Sequence, residues 1–178
     1  MAKICNSDVV MLFISKILRM FSFGAISVVF FDALIEKGIQ EKQIGFLQSL
    51  IAIGDIVISL ILTTRADKIG RKKTLALSAV LKIGAGISYA LSDNYLILII
   101  SGALGVLTIS GGEIGPFLPV EQAAIAQIIE DNSIDQHRVK EDIAMMYGYY
   151  NMGSYISQAA GNLFAGVFLK YMPKIYGG

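Results

Sequence analysis

Two carboxylates stand inside long apolar stretches of this chain. Asp55 lies near the middle of one and Glu113 in the later part of another. A charged group in hydrocarbon is costly. Acids at that depth therefore face a cavity or a partner, or carry a proton. A carboxyl that gains and loses a proton there suits the coupling of proton movement to another process. The plainer reading of Asp55 is a hydrogen-bond partner for a neighbouring helix, and the residue alone leaves both open.

A second constellation lies near the carboxyl end. At about 100° per residue, Tyr147, Asn151, Tyr155, Gln158 and Asn162 gather on one helix face. That face is too polar for lipid. It suits a solvated cavity that contacts a solute, or hydrogen bonds to another helix. Gly153, Ser157, Gly161 and Ala165 recur every four residues beside it. Small residues at that spacing let two helices approach closely.

The run Ser110-Gly111-Gly112-Glu113-Ile114-Gly115-Pro116-Phe117-Leu118-Pro119 weakens any helix. Pro116 frees the carbonyl of Gly112. Irregular backbone at membrane depth is tolerated where it is buried or lines a water-filled cavity. A kink that only shapes the helix packing is the other reading. Enzyme chemistry lacks its parts. One cysteine, Cys5, and one histidine, His137, exclude an internal disulfide, a cysteine metal site and a multi-histidine cluster. No nucleophile–base pair is visible, so no catalysis, cofactor or metal is expected. No nucleic-acid partner is expected either.

The elements that hold these residues are membrane helices. The 178-residue chain is 54% hydrophobic and 16% charged, against roughly 25% charged in soluble domains. A span needs about 20 apolar residues. About five segments qualify, near 17–35, 44–64, 74–91, 95–118 and 143–171. Lys16 and Arg19 are expected to snorkel at the start of the first span, and Asp32 to be solvated near its end. Thr74 is a candidate cap for the third span, and Lys82 lies inside it. Ser92, Asp93 and Asn94 make a tight turn. Pro119 closes the fourth span, with Glu121 and Gln122 at the interface. Residues 121–142 form a polar loop, helical in its first half and solvated in its second. No cleavable signal peptide is evident, so the first span is expected to stay and direct insertion.

Between the second and third spans lies the polar stretch 63–73. It holds five of the fifteen Lys/Arg residues within nine positions: Arg65, Lys68, Arg71, Lys72 and Lys73. Gly70 permits a sharp reversal. The cations pin the stretch to the cytoplasmic leaflet. With Lys3, Lys16, Arg19, Arg138 and Lys140, ten cations fall on that side. Lys37, Lys42, Lys170 and Lys174 fall on the other. The amino terminus is then cytoplasmic and, after five spans, the carboxyl terminus outside.

The pattern Asp67-Lys68-x-Gly70-Arg71-Lys72 resembles the signature between helices two and three of the major facilitator superfamily. Thr63 stands where that family has its first glycine, and Ser101 where it often has an arginine. The resemblance covers residues 1–178 as an amino-terminal transmembrane bundle. It implies an all-α membrane protein with about five helices forming most of one six-helix bundle. It further implies that Asp67, Lys68, Gly70, Arg71 and Lys72 form a gate against a second bundle. Alternating-access transport of a small solute follows, with a proton as candidate coupling ion. Five helices make one wall of such a path. A second half-transporter chain or another copy is then expected in the cell membrane. A truncated, transport-inactive product and an accessory or receptor-like subunit are the alternatives.

Overall fold

A computed structural model describes residues 7–105, 117–132 and 139–171. Every described element is an α-helix: α1 (Ser7–Glu36), α2 (Glu41–Ile69), α3 (Arg71–Leu91), α4 (Tyr95–Gly105), α5 (Phe117–Asn132) and α6 (Val139–Tyr171). Three of them, α1, α2 and α3, are long and apolar enough to cross a bilayer. The apolar α4 has eleven residues. Helix α6 is 33 residues long but carries a polar face. Glu113 with the rest of 110–116, the stretch 133–138, and both chain ends with Cys5 and Lys174 lie outside the described residues, as does the side chain of Asp67.

Surface and interior are arranged for lipid rather than water. Leu18, Ile53, Leu60, Val80, Ile83 and Leu163 are exposed. In water so much apolar surface would drive association; in a bilayer it meets its own kind. Lys16, Asp55, Thr74, Ser78, Glu121 and Ser154 are buried instead. The chain is therefore an all-α integral membrane protein.

The chain divides into two compact units, Met1–Ala33 with Gln122–Gly178, and Leu34–Glu121. In the first, α1 and α6 pack in parallel. A Cβ at Gly161 would strike the Phe21 carbonyl, and one at Gly24 the Gln158 carbonyl. Ser157 Oγ donates to the Ile17 carbonyl at 2.6 Å. Phe21 packs on Phe164 at 5.7 Å. Backbone approach this close gives dispersion and short hydrogen bonds, which drive helix association where lipid removes the hydrophobic difference.

In the second unit α2, α3 and α4 pack together. Gly54 lies against Ala103, and Gly102 lies against Ile51 and the Tyr89 hydroxyl. That hydroxyl donates to the Leu98 carbonyl at 2.9 Å. Lys37 Nζ donates to the carbonyls of Tyr89 and Ser92, both at 2.8 Å, and pairs with Asp93 at 3.0 Å. A cation on the last carbonyls of α3 complements the helix dipole. The turn at Ser92, Asp93 and Asn94 is present, with Asn94 Oδ1 accepting from the Leu96 N–H.

Four boundaries differ from those expected. The polar stretch 63–73 is almost wholly helical, and Gly70 alone separates α2 from α3. Its φ of 99° reverses the chain in one residue, a conformation that glycine reaches without penalty. Thr74 is not the cap. It is fully buried one turn inside α3, donating to the Gly70 carbonyl at 3.2 Å. Pro119 does not stop the helix that holds it, since α5 runs on through it to Asn132. The polar segment 121–142 is helical at both ends, through Asn132 in α5 and from Val139 in α6.

Candidate functional site

Helix α2 carries Asp55 on its buried side. The residue is 0% exposed. Ser59, one turn on, donates its hydroxyl to Asp55 Oδ1 at 2.9 Å. A carboxylate enclosed at this depth is a polar centre that packing does not require. Polar side chains continue in α3, where Ser78 Oγ donates to the Thr74 carbonyl at 2.9 Å. Lys82 holds its ammonium 4.7 Å from the Phe117 ring centroid.

Around Gly70 the signature residues divide between two helix ends. Asp67 and Lys68 are in the last turn of α2; Arg71 and Lys72 open α3. Lys68 and Lys72 are exposed and Arg71 half-buried. Lys68 favours the negative end of α2. The first turn of α3 is Arg71, Lys72, Lys73 with no acid. Three cations there oppose the helix dipole, by about 0.3–1 kcal/mol each. An anionic partner near this corner would offset that opposition.

The polar face of α6 does not act as one surface. Asn151 Oδ1 accepts from Lys16 Nζ at 3.4 Å. Asn162 Oδ1 accepts from Ser27 Oγ at 3.2 Å. The Gln158 backbone lies on Gly24. These three meet α1. Tyr147 instead donates its hydroxyl to the Gln122 carbonyl at 2.7 Å, and Tyr155 is exposed. Gly153 lies outside the close contact, since a Cβ there would meet nothing within 4 Å. The buried line runs Tyr150, Ser154, Ser157, Gly161, Ala165. A repeat of four residues rotates about 40° per step around a helix of 3.6 residues per turn. Gly153 falls off the line for that reason.

Two buried charges were expected at the interface. Lys16 is 2% exposed and is the tenth residue of α1, not its beginning. The apolar run before it, residues 9–14, is helix and was the available signal. Arg19 is half-buried, and Asp32 is exposed. Glu121 is 1% exposed. It lies on the stripe Phe117, Glu121, Ile125, Ile129, whose four-residue spacing is legible in the sequence.

A groove of about 470 Å³ between α3 and α4 is lined by Val80, Leu81, Ile97, Ile100 and other mostly apolar side chains. Its hydroxyls, Ser88 and Ser101, already donate to the carbonyls of Gly84 and Leu98. Among the described residues that line it, these hydroxyl donors are already used, which leaves a polar solute only acceptors.

The family model of the Major Facilitator Superfamily matches residues 12–173. The chain belongs to the major facilitator superfamily. It is also similar to the uncharacterized membrane protein YJR124C of Saccharomyces cerevisiae, 28% identical over 172 residues. That alignment takes in 97% of this chain and 36% of the yeast protein. The chain thus spans about a third of the length of that relative. No solved structure matches.

Proposed function

We propose that this chain is the amino-terminal bundle of a secondary active transporter moving a small solute by alternating access. Its path is completed by a second bundle, supplied by another chain, another copy or further sequence. The observation that carries the reading is Asp55, fully buried in a helix long and apolar enough to cross a membrane, in a chain of this superfamily. Asp55, and Glu113 in the stretch before α5, take up and release the coupling proton. On α6, Asn151, Gln158 and Asn162 hold α1 in place, which leaves Tyr147 and Tyr155 as that helix's candidates for solute contact. The corner of Asp67, Lys68, Gly70, Arg71 and Lys72 is the cytoplasmic gate. The amino terminus is cytoplasmic, and the chain resides in the cell membrane.

The test joins assembly to flux. The chain is purified in nanodiscs and its mass read by light scattering. Vesicles carrying a pH dye are then screened with solute gradients. A dimer, or a second polytopic chain that copurifies, together with solute-dependent proton movement is the expected result. A lone monomer without flux overturns the reading and leaves an inactive or accessory membrane protein.

A further inference from the structure

Gln48 stands two turns before Asp55 on α2. Seven residues bring their side chains to within about 20° of one another around the helix and about 10 Å apart along it. Ser59 continues the same face, bonded to Asp55. Phe46, Ile53 and Val57 on the opposite side are exposed apolar surface.

Both polar atoms of the Gln48 side chain, Nε2 and Oε1, are buried and lack a hydrogen-bond partner among the described residues. Gln43 Oε1 accepts from the Gln40 N–H, and Ser49 donates to the Gly45 carbonyl. A buried amide without partners destabilises the protein that carries it. Lipid cannot supply the missing bonds. Leucine or methionine would fill the same space without that cost, so packing does not account for a glutamine here.

We propose that Gln48 is a solute-binding residue of the transport path, placed toward the amino-terminal end of α2 from Asp55. Its N–H and carbonyl together meet a neutral group that both accepts and donates, a hydroxyl or a carboxamide. This rests on the reading of the Asp55 face as part of the path.

The chain's single cysteine makes the test direct, since Cys5→Ser yields a thiol-free background. Gln48→Cys, Ser59→Cys and Ile53→Cys are introduced one at a time into the full chain in vesicles. Each is treated with a charged methanethiosulfonate, which reacts with the thiolate, a form that lipid does not support. Gln48→Cys is expected to react at least about ten-fold faster than Ile53→Cys. Neutral polyols or carboxamides are expected to slow it. If Gln48→Cys is as inert as Ile53→Cys while Ser59→Cys reacts, the path stands and the role of Gln48 falls. If neither Gln48→Cys nor Ser59→Cys reacts, the reading of this face as a path falls with it. Slowing by charged solutes alone, or by none, overturns the solute class. Gln48→Met is expected to keep or raise the melting temperature. A lower one would mean that the amide has a structural partner and would overturn the proposal.

Discussion

The ammonium of Lys16 lies 4.0 Å from the ring centroid of Tyr150, and the two residues are 2% and 1% exposed. Phe13 stands edge-on to the same ring at 4.9 Å. The aromatic face and Asn151 Oδ1 compensate a cation that water cannot reach. Helices α1 and α6 are thus joined by a charge that close packing alone would not need.

Tyr150 should therefore matter twice, as volume and as ring. Tyr150→Ala is expected to cost about 3–5 kcal/mol, as for other large aromatic truncations. Tyr150→Phe, which keeps the face under Lys16, is expected to cost about 1 kcal/mol. A double-mutant cycle of Lys16→Met with Tyr150→Leu should return a coupling of about 0.5–2 kcal/mol. Reversible unfolding in mixed micelles measures all three. A coupling of zero would reduce the pair to proximity.

The α1–α6 contact makes a sharper contrast between two glycines. Gly161→Ala places a methyl against the Phe21 carbonyl, which belongs to backbone and cannot swing away. Overpacking of that kind costs about 1–3 kcal/mol. Gly153→Ala meets open space, and in mid-helix alanine is favoured by about 1 kcal/mol. Melting temperatures should move in opposite directions. Equal shifts would mean that the two helices do not pack through Gly161.

The same pair shows what the sequence could and could not convey. Helix type, three of the five expected spans, the turn at Ser92–Asn94 and the Gly70 reversal were legible, because hydropathy and turn chemistry are local. Which small residues pack was not. Four-residue spacing marks Gly153 and Gly161 alike, and only the 3.6-residue period separates them over several turns. Lys16 and Glu121 were misplaced for a related reason. Charge and proline suggest a helix end, but α1 begins before Lys16, and α5 runs on past Pro119 to Asn132. Gln48 was missed because one amide in an apolar run is ordinary until both its polar atoms are seen to be buried without a partner among the described residues.

Gly70 carries the whole connection between α2 and α3, at φ 99°. Gly70→Ala puts a Cβ where L-residues are disfavoured, at about 1–2 kcal/mol. There is space around it, with nothing within 4 Å, so the loss is conformational and not steric. Proline is expected to be worse, because its fixed φ is negative and the Gly70 N–H is bonded to the Ala66 carbonyl at 2.8 Å. Thermal unfolding and the insertion topology of reporter fusions after α3 check this. Unchanged stability in Gly70→Ala would show that the corner has other ways to turn.

Asp55 separates stability from coupling. Asn is close to Asp in shape, and its Oδ1 can still accept from Ser59, so Asp55→Asn should leave folding within about 1 kcal/mol of the parent. Asp55→Leu removes the acceptor and strands a half-buried hydroxyl, at up to about 1–3 kcal/mol, although Ser59 can turn to a carbonyl one turn back and recover part of this. Neither variant can carry a proton at position 55. Solute-driven proton movement in dye-loaded vesicles should vanish in both, while solute binding survives in Asp55→Asn. The two substitutions thus differ in melting temperature and agree in coupling. Proton movement that persists in a well-folded Asp55→Asn protein would return Asp55 to a structural role and leave Glu113 as the acid to test.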